Sequence, residues 1–391
     1  MATTPYRPAT SDPALEHWRW RAFPELRGLG VQCLAQTRDG AVWFGTDNGV
    51  QRYDGLTWTS YTSQDGLPNA PVTALCATQN GDLYAGTEMG ISQYKKGVWS
   101  HVFPAQEDLP WAVYDLMEGS DGSLWAGTAW GALRFQQGIW ALYTTAAVSE
   151  TLPAVAPNIR LFTVPDSAAF ARPWAQQPEG IGVKIAGEYP ALRRADIPVV
   201  VCALAPGGPA ESAGLEAGDL ILAIDGGGPV NENRLNGPVG TSVALTVRRN
   251  GQDDPFDLTI TCGRLDGGVR DFQVFDVFEA SDRTIWFGLA WGEVVRFTPQ
   301  TEGPGSWQSY ARQQGVDTGI RPRIAQTPDG AIWVASDDGR RSISHFDGRA
   351  WSQVRLSDHG GVNWNPEILV TEGGTLWVGG NRGYLHAYQD G

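Results

Sequence analysis

Six copies of one short phrase constrain this chain more than any other feature. The clearest are Asp39-Gly40-Ala41-Val42-Trp43-Phe44-Gly45-Thr46, Asn80-Gly81-Asp82-Leu83-Tyr84-Ala85-Gly86-Thr87 and Asp121-Gly122-Ser123-Leu124-Trp125-Ala126-Gly127-Thr128; looser copies occupy 282–289, 329–336 and 373–380. Counted at the first turn residue, successive copies lie 41, 41, 161, 47 and 44 residues apart. A period of about 40–45 residues with four strand-like pieces per copy marks a β-propeller, because each small sheet leaves both faces bare and must stack on its neighbours. The one long step holds an insertion.

Residues 31–61 serve as the template for a copy. An inner strand at 31–36 is followed by the Asp39-Gly40 turn, a second strand at 42–45, a turn at 47–49, a third strand at 50–53 and an outer strand at 58–61. Tryptophan recurs at the second-strand position (43, 125, 286, 333 and 377, with Tyr84 in the remaining copy) and in the outer strand (20, 58, 99, 140, 307 and 351). These eleven residues are expected to pack blade against blade. Trp18 to Phe23 repeats an outer strand, and the chain ends where the last outer strand would begin. The expectation is therefore a mainly β, six-bladed propeller closed by its N-terminal strand, which removes two open sheet edges. Seven blades follow if 159–164 and 269–275 donate strands to a degenerate blade.

This pattern resembles the two-component regulator propeller repeat, whose consensus is D-G-x-L-W-x-G-T followed by x-x-G-L, an aromatic residue and a short outer strand. The resemblance covers 18–143 and 270–391. It loosens late in the chain, where Arg283 replaces the turn glycine, Leu289 and Ser336 replace threonine and Ala335 replaces glycine. It implies an input or recognition role, since similar repeats form input regions of bacterial sensor kinases; the 391 residues hold no kinase, receiver or DNA-binding segment.

The insertion has another grammar. Residues 144–178 are rich in Ala and Pro and read as a connector; 179–264 begin with Gly180-Ile181-Gly182-Val183 and continue through Gly208-Pro209-Ala210 to Ile224-Asp225-Gly226. The run G-P-A-x-x-A-G-L-x-x-G-D-x-I-x-x-I-D-G resembles the PDZ domains of bacterial carboxy-terminal processing and HtrA-type proteases. That resemblance implies that the turn Gly180, Ile181, Gly182 and Val183 binds a ligand's terminal carboxylate through backbone amides. It also implies that 183–186 pairs with the peptide as an added strand. The second wall of such a groove is a helix, and only 231–236 is available for it before Gly237-Pro238. A rigid spacer or docking surface is the competing reading.

The insertion replaces an interblade loop, so it should lie over the face that bears Trp111, Trp130, Trp291, Trp364, Arg321, Arg323, Asp337 and Asp338. Two readings stay open for this rim. Trp130 and Trp291 flank the insertion and can pack against it, or the tryptophans can offer rings to a sugar, an aromatic ligand or a peptide.

Composition excludes other classes. A formal charge of −14 opposes a nucleic-acid partner. Residues 1–17 contain neither a secretory leader nor a membrane span, so the chain as given is expected to be cytoplasmic, or extracytoplasmic within a longer sensor protein. Cysteines 33, 76, 202 and 262 lack metal-ligand spacing and read as reduced thiols. No catalytic motif, metal site or cofactor fingerprint is present. The function read from sequence is non-catalytic recognition, sensory or scaffolding, of a peptide, protein or small ligand through the PDZ-like groove and the adjacent propeller face, a free C-terminus being one feature such a ligand can offer. The alternatives are a glycan- or small-molecule-binding propeller, or a propeller lyase or hydrolase using His359 with Asp337, Asp338 or Glu88.

Overall fold

The computed structural model describes residues 22–68, 71–104, 111–144, 159–164, 179–185, 199–265 (apart from 206, 228, 229, 231, 250, 251 and 253), 273–289, 293–300, 305–316, 319, 321–336, 342–356, 366–379 and 385–388.

The phrase builds its own hairpin. Asp39 Oδ1 accepts from Thr37 Oγ1 at 2.5 Å and from the Ala41 amide at 3.2 Å, while Gly40 takes the left-handed φ of +84° that closes the turn. Thr37 Oγ1 also accepts Trp43 Nε1 at 2.9 Å, which ties the core tryptophan to its own turn. One strand further, an arginine returns to the turn aspartate: Arg52 to Asp39 at 3.0 Å, Arg134 to Asp121 at 2.5 Å and Arg296 to Asp282 at 2.8 Å. Each guanidinium lies over the tryptophan of the same copy, 5.2–5.6 Å from the ring of Trp43, Trp125 or Trp286.

Antiparallel meanders follow from these hairpins. The first sheet holds β1 (Cys33–Gln36), β2 (Val42–Thr46), β3 (Gly49–Tyr53) and β4 (Trp58–Tyr61); the second β5 (Val72–Ala77), β6 (Leu83–Thr87), β7 (Gly90–Lys95) and β8 (Val98–Phe103). The third holds β9 (Val113–Glu118), β10 (Leu124–Thr128), β11 (Gly131–Gln136) and β12 (Ile139–Thr144), with β13 (Arg160–Thr163) added in parallel on β12. In the insertion, β14 (Glu179–Gly180) pairs with β20 (Gly263–Arg264). Beside that pair, β15 (Val183–Ile185), β16 (Val199–Leu204), β17 (Leu220–Ile224), β18 (Ser242–Arg248) and β19 (Phe256–Thr261) form one sheet in that order. Propeller sheets resume with β21 (Val274–Glu279), β22 (Ile285–Leu289), β23 (Glu293–Thr298) and β24 (Ser306–Tyr310), then β25 (Arg323–Gln326), β26 (Ile332–Ala335), β27 (Ser342–Phe346) and β28 (Trp351–Arg355). The last sheet is β29 (Glu367–Val370), β30 (Leu376–Gly379) and β31 (Leu385–Tyr388).

Side chains between adjacent sheets supply the stacking energy. Trp43 and Trp99 fill the first gap, Leu124 and Leu142 the second, Trp125 and Phe287 the third, Trp286 and Trp351 the fourth, Trp333 and Leu376 the fifth. The second glycine of the phrase lets sheets approach. A Cβ on Gly127 would stand 2.5 Å from the Val274 carbonyl oxygen of the next inner strand, and one on Gly288 would stand 2.6 Å from Pro322 Cγ.

Closure by the N-terminal strand is not found. Residues 18–21 lie outside the described residues, and the sixth sheet stops at three strands. The end sheets also keep apolar faces in solvent: Leu34 is 66% exposed in β1, and Leu369 is 63% exposed in β29. Phe23, beside the expected closing stretch, packs on Tyr53 and Trp58 of the first sheet, ring centroids 5.3 and 5.6 Å away. The seventh-blade alternative fails as well among the described residues. Arg160–Thr163 extends the third sheet, and Val274 and Phe275 open the fourth. Cys33, Cys76 and Cys262 are free thiols, and no described helix is long and apolar enough to cross a membrane.

Candidate functional site

Three places bear on function: the Gly180–Val183 turn with β15, the tryptophan rim, and a charged cluster on the inner strands.

At the turn, Gly182 has φ +78°, and a Cβ there would come within 2.9 Å of both Ala205 Cβ and Leu265 Cδ2. The turn's carbonyls are tied inward: Ala205 N donates to Gly182 O at 2.8 Å and Ala210 N to Ile181 O at 2.9 Å. Ile181's amide, one of the expected carboxylate donors, itself donates to Leu235 O at 3.4 Å.

The bond from Ala205 N to Gly182 O brackets the Val183–Leu204 pair, which makes it a non-hydrogen-bonded pair. Val183's own N–H and C=O therefore face away from β16. Two residues on, Ile185 opposes Val201, whose amide donates to Asp219 O and whose carbonyl accepts from Gly218 N. Ile185's backbone groups consequently face the same way as Val183's. That side carries no partner strand among the described residues, because β15 is the terminal strand of its sheet, although Val183 and Ile185 are each only 1% exposed. The second wall is a single helical turn, Glu232–Leu235, held by Arg234 donating to Gly227 O and Ile224 O.

The rim is not a ring-stacking surface where it is described. Trp111 and Trp130 are each 1% exposed, with centroids 5.6 Å apart and Phe103 4.8 Å from Trp111. They share one apolar cluster with Val200, Leu220 and Leu222 of the insertion. The sheet of the insertion is apolar on both sides: Val199, Val201 and Ile221 face its own core, and Val200 and Leu220 face the propeller. The insertion therefore consumes the surface that these two tryptophans would have offered a ligand. Trp291, Trp364, Asp337, Asp338 and His359 lie outside the described residues. Arg321 is half-buried with φ +58°, and Glu88 is buried.

Arg323 is not a rim residue. It begins β25, and its Nη1 donates to Asp276 Oδ1 and to the Phe275 carbonyl, each at 3.1 Å; Glu367 lies 3.8 Å from its Nε. Asp276 Oδ2 accepts the Ile324 amide at 2.8 Å, and Asp115 Oδ2 accepts the Val277 amide at 3.0 Å. Each carboxylate thus holds the inner strand of the following sheet. Burial pushes the Asp276 carboxyl up to about 7, against the pull of Arg323 and with the help of Asp115. Asp115 is raised for the same first reason, with Arg323 again opposing.

Asp115 and Asp276 were not singled out from sequence, although a signal existed. Cys33, Ala74, Asp115, Asp276, Arg323 and Glu367 each stand six residues before the first turn residue of a phrase, and each pairs with the residue at the phrase's second glycine position. Among the described residues, no group of three or more His, Cys, Asp or Glu is placed to hold a metal.

Known proteins bear on both parts of the chain. The PDZ domain family matches residues 174–243, and the two component regulator propeller family matches residues 25–48. A carboxy-terminal-processing protease of Bartonella bacilliformis is 45% identical over 58 residues, 13% of this chain and 13% of the protease. Among solved structures, the extracellular domain of a hybrid two component system from B. thetaiotaomicron aligns over 90% of this chain and 38% of its own, at 14% identity and a TM-score of 0.38. Catalytically inactive virginiamycin B lyase from Staphylococcus aureus, with quinupristin, aligns over 90% and 92% at 14% identity and a TM-score of 0.39.

Proposed function

From a chain that joins a regulator propeller repeat to a PDZ domain, we propose a recognition module that captures a peptide or protein C-terminus along β15. The observation that carries this reading is the outward direction of the Val183 and Ile185 backbone groups on an edge with no partner strand among the described residues, next to a glycine turn. A peptide strand adds to such an edge through main-chain bonds. Its terminal carboxylate then falls at the turn, where the Val183 amide is a donor.

The propeller positions this edge rather than supplying the ligand surface, since Trp111 and Trp130 are buried in a cluster that they share with the insertion. That burial withdraws support from the glycan-binding alternative at those two residues. Inserted between the third and fourth propeller sheets, the PDZ domain is anchored at both of its ends. Ligand capture there is suited to sensing or scaffolding.

The test is selection from a display library of random peptides with free carboxyl termini against the whole chain, followed by titration of the selected peptides. Binding should require the free carboxylate and disappear in Gly182→Trp, because any Cβ there meets Ala205 and Leu265. Selected peptides that bind equally well when amidated, or to Gly182→Trp, would remove the reading.

A further inference from the structure

The edge of β15 is covered rather than open, with Val183 and Ile185 each 1% exposed, and one of its groups is met from the same chain. Gln273 Nε2 donates to the Ile185 carbonyl at 3.4 Å, across 88 residues of sequence. Gln273 is 4% exposed, and it stands immediately before β21, where the chain re-enters the propeller. Ile185's carbonyl is one of the acceptors that an added strand would need, because its residue faces away from β16. A side-chain amide carries the same N–H donor chemistry as a peptide backbone.

We propose that Gln273 caps the peptide edge in cis, standing in for a backbone N–H of the ligand, so that ligand entry must displace it. This rests on the reading of β15 as a peptide-binding edge and adds its regulation. Leu265, which lies against the Gly182 turn, belongs to the same return path out of the insertion. The cap also has a mechanical consequence. Gln273 precedes Val274, whose carbonyl sits close under Gly127, and Phe275, whose carbonyl accepts Arg323. A ligand that pulls the Gln273 side chain away acts on the first residues of a strand buried in the inner cluster. The propeller can thereby register occupancy of the PDZ edge.

Two variants remove the donor: Gln273→Ala shortens the side chain, and Gln273→Met keeps its length without an N–H. In the whole chain, both should bind the library-selected free-carboxylate peptides roughly fivefold more tightly than wild type, the scale of one competing hydrogen bond. Peptide added to wild type should speed amide exchange at the start of β21.

Equal affinity in wild type and both variants overturns the cap while leaving peptide binding intact. Failure to select any peptide on wild type, Gln273→Ala or Gln273→Met overturns the peptide-edge reading and the cap with it. The two failures are therefore distinguishable.

Discussion

Arg323 and Asp276 meet at 3.1 Å across the seam between the fourth and fifth propeller sheets, while the same arginine donates to the Phe275 carbonyl. The pair does not stand alone. Asp115 on β9 and Glu367 on β29 act on it electrostatically from either side, so charges from four inner strands share one region of the array.

This arrangement makes stability depend on pH in a stated direction. An unfolded aspartate titrates near 3.9, about three units below the folded Asp276, whose burial pushes its carboxyl up to about 7. Between these values the folded chain holds a proton that the unfolded chain has released. The contribution of Asp276 is therefore fully present below about pH 4 and is lost as pH rises toward 7. Asp115 is shifted in the same direction and reinforces the slope. Thermal melting of wild type against Asp276→Asn should show a steeper fall in the wild type between pH 4 and 7. Parallel melting curves across that window would refute the assignment.

Trp130 offers a prediction that separates the two readings of the rim. Its ring is buried in a cluster that includes Val200 and Leu220, so Trp130→Ala leaves a cavity at the joint between propeller and insertion. Such truncations cost about 3–5 kcal/mol. Amide exchange at 199–201 and 220–222 should accelerate along with a lower melting temperature. A ligand-facing tryptophan would instead leave both quantities nearly unchanged, as exposed substitutions usually do.

What could be read from the sequence divides along the range of the interactions. The stretch 37–46 contains its own turn, the threonine that bonds the turn aspartate, and the core tryptophan, so its hairpin was legible residue by residue. The inner cluster was legible in part. Arg323 was noticed, but nothing local says whether it ends a rim loop or begins a strand, and Asp115 and Asp276 emerge only when copies are compared at the position opposite the phrase glycine. Trp130 shares its buried cluster with Val200 and Leu220, residues that share no sequence pattern with it. Gln273 and Ile185 are joined only by the docking of two domains, and a lone glutamine at the start of the second propeller segment carries no sequence mark. The expected ring closure is not found among the described residues for a related reason: a matching strand at each terminus states compatibility, not pairing.

Arg283 shows how the repeat tolerates a departure. The equivalent turn residues Gly40, Gly81, Gly122, Gly330 and Gly374 have φ between +75° and +90°, and Arg283 is forced to +68° in the same turn. Its amide still donates to Ala280 O at 2.9 Å, as Gly40 N does to Thr37 O. An L-residue in this region costs about 1–2 kcal/mol. Arg283 recovers little of that, because its ion pair with Glu279 is long at 3.9 Å and its side chain is 68% exposed. Arg283→Gly releases the strain but loses about 0.5–1 kcal/mol through the greater freedom of glycine in the unfolded chain. The expected net gain is about 0.5–1 kcal/mol, seen as a higher urea midpoint by tryptophan fluorescence. A lower midpoint would mean that the Arg283 side chain contributes more to the fourth sheet than its exposed ion pair implies.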